Sequence, residues 1–212
     1  MKSKNLYVIS LCAAMLVAPL AGQAADWNGL YGGLHVGSSS DSTRLDVIGP
    51  SAGSSASFDL NGGVYGAQIG YNESISSDFM AGFEALYSLS DADAGTTTCP
   101  GTLTSCGAAV DWVTTLRARF GWTGSNIYLY GTVGIAYAQV KLSSNIGVDR
   151  KNSQGWHFGI GAETFLNKVI SVSLEATKTN FNSNDFAIGG GNTAQADLSP
   201  VVLQAALNFR FR

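Results

Sequence analysis

Charged residues are scarce in this sequence. Asp, Glu, Lys and Arg make up 13% of its 212 residues, about half the share that a soluble globular domain typically carries. So few charges also argue against a disordered chain, whose composition is usually rich in charge. Apolar residues reach 45%, and glycine occupies 26 positions. A membrane protein and an all-β protein both fit this composition.

Long apolar runs are absent beyond the N-terminus. Residues 1–24 have the parts of a secretory signal peptide, with cleavage expected between residues 24 and 25. Its positive region consists of Lys2 and Lys4, and its apolar run, Leu6–Leu20, is broken only by a serine. Small residues, Gly22 and Ala24, precede the cleavage site. A membrane anchor is the alternative, but the run is shorter than the ~20 residues that a spanning helix needs. If the mature domain, residues 25–212, lies in a membrane, it must be a closed β-barrel.

Cysteine is also rare, with three in the chain. Cys12 lies inside the apolar run after Leu11, where a lipoprotein signal would have a small residue, so we reject lipidation. Cys99 and Cys106 enclose a six-residue loop, and in an oxidising compartment such a pair predicts a disulfide. A metal site there would need more ligands nearby, and the sequence offers none.

Basic residues are too few to favour nucleic acid as a partner. Removing the signal peptide leaves 10 Lys and Arg against 15 Asp and Glu, a net charge of −5. The sequence has no phosphate-binding loop, and Gly189–Gly191 lies in a predicted loop rather than between a strand and a helix. We therefore expect no nucleic acid, metal or cofactor.

The chain does contain stretches in which apolar and polar residues alternate. In the last stretch, Val201–Phe211, apolar side chains occupy every second position, and Gln204, Asn208 and Arg210 lie on the other face. A strand turns successive side chains to opposite faces, and a tilted strand of about 9–11 residues crosses a bilayer. This stretch therefore predicts a membrane-spanning strand.

Seven further stretches alternate in the same way. The eight predicted strands are Asn28–Ser38, Gly63–Asn72, Phe79–Leu89, Asp111–Trp122, Ile127–Lys141, Gln154–Phe165, Val169–Thr179 and Val201–Phe211. Long connections, rich in Gly, Ser, Asn and Asp, are predicted at Ser39–Gly62, Ser90–Val110, Leu142–Ser153 and Asn180–Ala196. Short ones are predicted at Glu73–Asp78, Thr123–Asn126 and Leu166–Lys168. Long extracellular loops and short periplasmic turns are typical of outer-membrane barrels.

Aromatic residues support the membrane assignment. Nine of them share the face assigned to lipid and fall near the two ends of the strands. The outer set is Tyr87, Trp112, Tyr137 and Trp156, and the inner set is Tyr71, Phe79, Trp122, Phe209 and Phe211. Trp27 is out of phase and is expected at the rim. Two aromatic girdles favour a membrane barrel, whereas a soluble barrel or sandwich would not need aromatics at both ends.

The opposite face carries charges among glycines. Three acids and three arginines are predicted to form a balanced lumenal network: Glu84, Glu163, Glu175, Arg117, Arg119 and Arg210. An eight-stranded barrel is just wide enough for side chains to fill it, and buried charges must pair. We interpret the network as a structural plug. A conduction path lined by these charges is the alternative.

The two histidines, His35 and His157, are candidate catalytic bases or ligands. Neither has a nucleophilic partner at a spacing that selects a triad, so we interpret both as packed interior residues. A lipid-modifying enzyme is therefore the lesser hypothesis.

Four short motifs, in this order, resemble bacterial outer-membrane β-barrel proteins of the porin-family surface-antigen type. Asp26–Gly33 is similar to their D-W-x-G-x-Y-x-G opening, and Tyr65–Asn72 to their G-x-Q-x-G-Y-N. Leu116–Gly121 resembles V-R-x-R-x-G-Y, and Leu207–Phe211 resembles L-N-Y-[KR]-F. The resemblance implies an eight-stranded barrel like OmpA or OmpX, exposed at the cell surface. Some members are assigned to envelope integrity, host-cell interaction or haemin binding, but no predicted loop here has a His or Met suited to haemin.

Together these observations predict an all-β, eight-stranded, antiparallel up-and-down transmembrane barrel. We expect a non-enzymatic surface antigen in the outer membrane, with extracellular loops available for recognition. A narrow pore for small solutes is the alternative. The expected partners are outer-membrane lipid and lipopolysaccharide, the barrel-assembly machinery and an extracellular or host-surface ligand. The sequence ends in Arg212, one residue beyond the aromatic Phe211, and we expect deletion of Arg212 to leave assembly intact or to improve it.

Overall fold

The computed structural model describes residues 26–48, 55–92, 106–124, 126–144, 147–182, 184–189 and 192–211. The predicted signal peptide, Cys99 and Arg212 lie outside these residues. Ten strands are described: β1 (Gly29–Ile48), β2 (Ser55–Ser74), β3 (Phe79–Ser90), β4 (Cys106–Thr123), β5 (Ile127–Ser144), β6 (Gly147–Phe165), β7 (Ile170–Phe181), β8 (Asn184–Gly189), β9 (Asn192–Asp197) and β10 (Val201–Arg210).

Eight of these strands form a closed barrel. Each of β1 to β6 pairs antiparallel with the strand that follows it in the chain, and β7 pairs with β10. The sheet closes where β10 meets β1, with a register that runs from Tyr31↔Arg210 to Ser40↔Val201. The predicted up-and-down barrel is confirmed. No helix in the described part of the chain is long and apolar enough to cross a membrane.

The barrel is apolar outside and polar inside. Along β3, Phe79, Phe83 and Tyr87 are exposed, whereas Met80 and Glu84 between them are buried. Phe83 is 74% exposed and Glu84 is 3% exposed. A soluble protein would reverse this arrangement, because exposing so much apolar surface to water is unfavourable. The outward face is therefore the lipid face, as the alternation predicts.

The aromatic girdles lie on this outward face. Phe79 of the inner girdle stacks on Phe120, with ring centroids 5.8 Å apart. In the outer girdle, Tyr87 and Trp112 stack at 6.4 Å. Trp27, which was expected at a rim, lies just before the start of β1, and its side chain turns into the barrel and is only 4% exposed.

The three predicted short turns are present. Each is closed by a backbone hydrogen bond, from Ile75 N to Phe79 O, from Gly124 N to Ile127 O and from Leu166 N to Ile170 O, at 2.8–2.9 Å. The chain enters β1 at the same end of the barrel. By the loop-length rule for outer-membrane barrels, this end is periplasmic.

The prediction of long loops at the other end is wrong in part. β1 and β2 stay paired as far as Asp46↔Ser55, and β5 and β6 as far as Ser144↔Gly147. The predicted loop Asn180–Ala196 contains a hairpin, β8–β9, and β9 pairs with β1 at Arg44–Ile48. Hydropathy alternation marks a strand only where one face meets lipid. Above the membrane both faces meet water, so pairing that begins in the barrel continues through polar residues without that signal.

Candidate functional site

The barrel interior contains all six charged residues predicted for the lumen. None is more than 5% exposed, and the structure brings them together in one connected set of ion pairs. We call this set the ion-pair layer; its members are Glu84, Arg117, Arg119, Glu163, Glu175 and Arg210. β3, β4, β6, β7 and β10 each contribute at least one of them, so the layer crosses the lumen rather than following one wall.

Arg117 joins two carboxylates. Its Nε donates to Glu84 Oε2 at 2.6 Å, which follows from their direct opposition on β3 and β4. Its Nη1 and Nη2 donate to the two carboxylate oxygens of Glu175 on β7, the second at 2.9 Å. This two-point geometry is the strong form of a charge-assisted hydrogen bond.

Arg119 and Arg210 share the third carboxylate, Glu163. Arg119 Nη2 donates to Glu163 Oε2 at 2.7 Å, and Arg210 Nη2 donates to Oε1 at 3.2 Å. Glu163 also accepts hydrogen bonds from the Ser171 hydroxyl at 2.5 Å and from the Asn208 amide at 3.1 Å. These hydrogen bonds offset part of the cost of removing the charges from water.

Inward-facing glycines make room for these long side chains. A Cβ added at Gly70 would lie 2.4 Å from the Tyr31 hydroxyl oxygen. One added at Gly134 would lie 2.2 Å from the Leu116 carbonyl oxygen and 2.7 Å from Arg117 Cβ. Glycine at these positions therefore allows the neighbouring strand and the ion-pair layer to come this close.

An aromatic layer closes the periplasmic end beneath the ions. It consists of Trp27, Met80, Tyr128, Tyr130 and Phe165. The Trp27 ring lies 4.3 Å from that of Phe165 and 5.7 Å from that of Tyr128. The guanidinium carbon of Arg119 lies 4.0 Å from the Tyr130 ring centroid, a cation–π contact that joins the two layers.

Above the ions, on the extracellular side, lies a cavity that we call the outer cup. Its lining includes Leu60, Val64, Leu86, Val113, Leu198 and Val202, with Ser, Thr, His157 and Gln204 side chains. Sequence reasoning missed this cavity. The sequence did contain a signal for the cavity, because Leu86, Val113 and Val202 are apolar residues at positions assigned to the polar face.

The two histidines have different hydrogen-bond partners inside the lumen. Arg117 Nη1 lies 3.2 Å from His157 Nε2 and Thr179 Oγ1 lies 3.0 Å from His157 Nδ1. Arginine can only donate, so Nε2 accepts and Nδ1 carries the proton. His35 Nε2 lies 2.9 Å from Ser88 Oγ. The spacing of 53 residues gave no hint of this pair, which depends on the shared register of β1, β2 and β3.

The described residues contain no candidate metal site. Among them, no group of three or more His, Cys, Asp or Glu side chains could hold a metal ion. Cys106 begins β4, while its predicted partner, Cys99, lies outside the described part of the chain. The disulfide therefore remains a prediction.

Comparison with known proteins gives a consistent result. The family described as "Outer membrane protein beta-barrel domain" matches residues 9–211. A 31 kDa outer-membrane immunogenic protein of Brucella melitensis is 27% identical over 96% of this chain and 91% of its own length. A 22 kDa outer membrane protein of Rhizobium leguminosarum bv. viciae is 30% identical over 46% of this chain and 47% of its own.

Solved structures share the fold. The outer membrane protease OmpT of Escherichia coli has a TM-score of 0.55 at 9% identity, covering 90% of this chain and 99% of that one. The outer membrane protein AlkL in lipid bilayers has a TM-score of 0.51 at 13% identity, covering 92% and 96%. At such low identity these likenesses concern the barrel architecture alone.

Proposed function

Because this chain belongs to the outer membrane protein beta-barrel domain family, we propose that it acts as a closed structural barrel that presents recognition surfaces outside the cell. The chain is an integral outer-membrane β-barrel. The proposal adds that its lumen conducts no solutes and that it catalyses no reaction. The observation that carries it is the ion-pair layer, which joins five strands across the lumen.

Two stacked layers support the closed lumen. The ion-pair layer is fully buried, and Trp27, Tyr128 and Phe165 pack beneath it. Eight strands leave an interior that side chains can fill, whereas porins with water-filled channels use about 16–18 strands. The ion pairs and the aromatic rings thus occupy the space that a permeating solute would need.

Solute flux tests the closed lumen. Protein reconstituted in lipid vesicles is expected to leave the permeability to potassium ions and small sugars equal to that of protein-free vesicles. Vesicles that contain a porin serve as the positive control. Flux that rises in proportion to the amount of folded protein would favour the alternative, a narrow pore.

The extracellular end supports a recognition role. β1 extends past the barrel and pairs with β2 on one side and with β9 on the other, so the sheet continues beyond the membrane-spanning part of the barrel. The Brucella and Rhizobium relatives are outer-membrane proteins, and the former is named immunogenic. We propose an extracellular or host-surface partner for this sheet, lipopolysaccharide around the barrel, and insertion by the barrel-assembly machinery.

One contact bears on the enzyme alternative. Ser88 and His35 form a hydroxyl–imidazole pair at 2.9 Å beside the outer cup. In a serine hydrolase a third group orients the imidazole, but His35 Nδ1 is buried and has no hydrogen-bond partner among the residues that the structure describes. We therefore propose that this pair is structural. Covalent labelling of Ser88 by a fluorophosphonate probe, lost in His35→Ala, would overturn that assignment, and no labelling is expected.

A further inference from the structure

Lys178 lies on the lipid face of the barrel. Its side chain is exposed, and its partners in the neighbouring strands, Phe158 and Val201, are 46% and 47% exposed. A lysine on the lipid face is costly at the middle of a bilayer and costs little near its surface. Lys178 therefore belongs at a depth where its ammonium group can reach the lipid headgroups.

The strand register places Lys178 at the depth of the outer girdle. On β5, Tyr137 is opposite Gln154, and Trp156 follows two residues later on β6. Trp156 is opposite Asn180 on β7, and the same step of two residues towards the periplasm reaches Lys178. Because the strands are tilted, this step keeps successive members at a similar depth. Lys178 thus continues the outer girdle, which marks the outer surface of the membrane.

Two further cations lie above the girdle on the neighbouring strands. Lys141 on β5 and Arg150 on β6 are directly opposite each other. Arg150 is exposed, and Lys141 points outwards because Val140 beside it is buried in the barrel. Lys141 is four residues beyond Tyr137, which places it about 10 Å further from the membrane on a tilted strand. Like charges directly opposite each other repel, and an anion between them would remove that cost.

We call Lys141, Arg150 and Lys178 the basic patch. None of them belongs to an ion pair within the described part of the chain. The described outward side chains of β5, β6 and β7 include no Asp or Glu. Near the patch they include amides, which can donate hydrogen bonds to an anion: Gln139, Asn152, Gln154 and Asn180. The patch is therefore suited to an anionic group outside the chain.

We propose that the basic patch binds one molecule of lipopolysaccharide. Lys178 pairs with a phosphate of lipid A at the depth of the outer girdle. Lys141 and Arg150 pair with acidic groups of the inner core above it, where the fork of the arginine suits a phosphate or a carboxylate. The inference rests on the lipopolysaccharide contact proposed above and adds its position, which is on β5 to β7 rather than around the whole barrel.

Native mass spectrometry of the folded mature protein in non-ionic detergent tests this site. Rough lipopolysaccharide, which consists of lipid A and the core, is expected to bind saturably at one molecule per barrel. Lipid A treated with a phosphatase to remove its phosphates should lose saturable binding, whereas untreated lipid A should keep it. Phosphatidylglycerol, a phospholipid with a single phosphate, should not displace lipopolysaccharide when present in excess. Equal binding of dephosphorylated lipid A, or displacement by phosphatidylglycerol, would overturn the proposal.

Two lysine substitutions test the position of the lipid A phosphate. Lys178→Gln should weaken the binding of lipid A about fivefold, the contribution expected of one cation near an anionic membrane surface. Lys178→Arg keeps the charge and should keep the affinity. Lys168→Gln removes one charge just before β7, at the periplasmic end, and is the matched control with no expected effect. Equal effects of Lys178→Gln and Lys168→Gln would contradict the assigned position.

A variant with both Lys141→Gln and Arg150→Gln tests the upper part of the patch. It should weaken the binding of rough lipopolysaccharide by about fivefold or more and leave the binding of lipid A, which lacks the core, unchanged. An equal loss for both ligands, or no loss for either, would contradict the contact with the core. The substituted side chains all lie outside the barrel interior, and heat-modifiable gel mobility checks that each variant is folded. If the wild type binds no lipopolysaccharide, this inference and the proposed lipopolysaccharide contact both fail, while the closed lumen is decided separately by solute flux.

Discussion

Single side chains in the lumen depend on one another. Glu163 is bonded to Arg119, Arg210, Ser171 and Asn208, so no member of the ion-pair layer can be removed without leaving a charge underpaired. Replacing a whole buried ion pair by apolar residues is often tolerated, but removing one partner is costly. This asymmetry makes single substitutions informative.

Arg119→Met removes one such partner while keeping much of the side-chain volume. Glu84 and Glu163 each lose a cation, and we expect a loss of about 3–5 kcal/mol in the free energy of unfolding. The measurement is urea unfolding in lipid vesicles. Arg150→Met, at an exposed position on β6, is the matched control and should change the stability little. Equal effects of the two substitutions would show that the layer contributes nothing specific to stability.

Gly134→Ala tests the close approach between β4 and β5. The added methyl group would lie 2.2 Å from a backbone oxygen, so the backbone must move, and overpacking of this kind costs about 1–3 kcal/mol. Gly131→Ala on the same strand has 3.8 Å to its nearest neighbour and should be tolerated. Unfolding in urea compares the two, and a tolerated Gly134→Ala would mean that the interior is looser than described.

At the scale of strands, the barrel closes without the β8–β9 hairpin. β10 pairs with β1 at residues 31–40, whereas β9 pairs with β1 at residues 44–48. Replacing Asn184–Asp197 by a short Gly-Ser linker should therefore preserve the heat-modifiable gel mobility of a folded barrel. Binding of antibodies to intact cells should fall if this hairpin belongs to the recognition surface. Loss of heat-modifiable mobility would show that the hairpin is needed for closure.

The sequence predicted the strands well where they cross lipid and poorly beyond it. Phe79–Leu89 was placed within one residue of β3, because lipid on one face enforces alternation. β1 instead runs ten residues past its predicted end at Ser38, because water on both faces removes that constraint. The six charged residues could be predicted from the face they occupy. The Ser88–His35 contact could not, because it depends on the register of β1, β2 and β3. The outer cup had a signal in the apolar residues on the polar face, but its lining also depends on the bulge in β4, which the sequence does not reveal.

At the scale of the whole molecule, two covalent features of the exported chain can be tested together: removal of the signal peptide and formation of the disulfide. We predict cleavage after Ala24 and a disulfide between Cys99 and Cys106. Intact mass spectrometry of protein from the envelope, with and without reduction before thiol alkylation, reports both features. Alkylation without prior reduction would contradict the disulfide, and a retained N-terminus would contradict the signal peptide.

The barrel as a whole is organised in layers along its axis. Aromatic rings close the periplasmic end, ion pairs cross the middle, and the outer cup opens to the exterior. On the outer face of the barrel, aliphatic and aromatic residues contact the lipid, and on the extracellular side β1 and β2 extend beyond the barrel. Each role thus belongs to a different level of one continuous sheet.

Single-channel recording in planar bilayers tests the closed lumen most directly. Folded wild-type protein is predicted to give no sustained openings. Arg117→Ala, which breaks the contacts to Glu84 and Glu175, is predicted to add brief leaks at most, because the aromatic layer still lies beneath. Sustained, ion-selective openings of the wild type, with a selectivity that changes in Arg117→Ala, would show that the ion-pair layer lines a pore and would contradict the account.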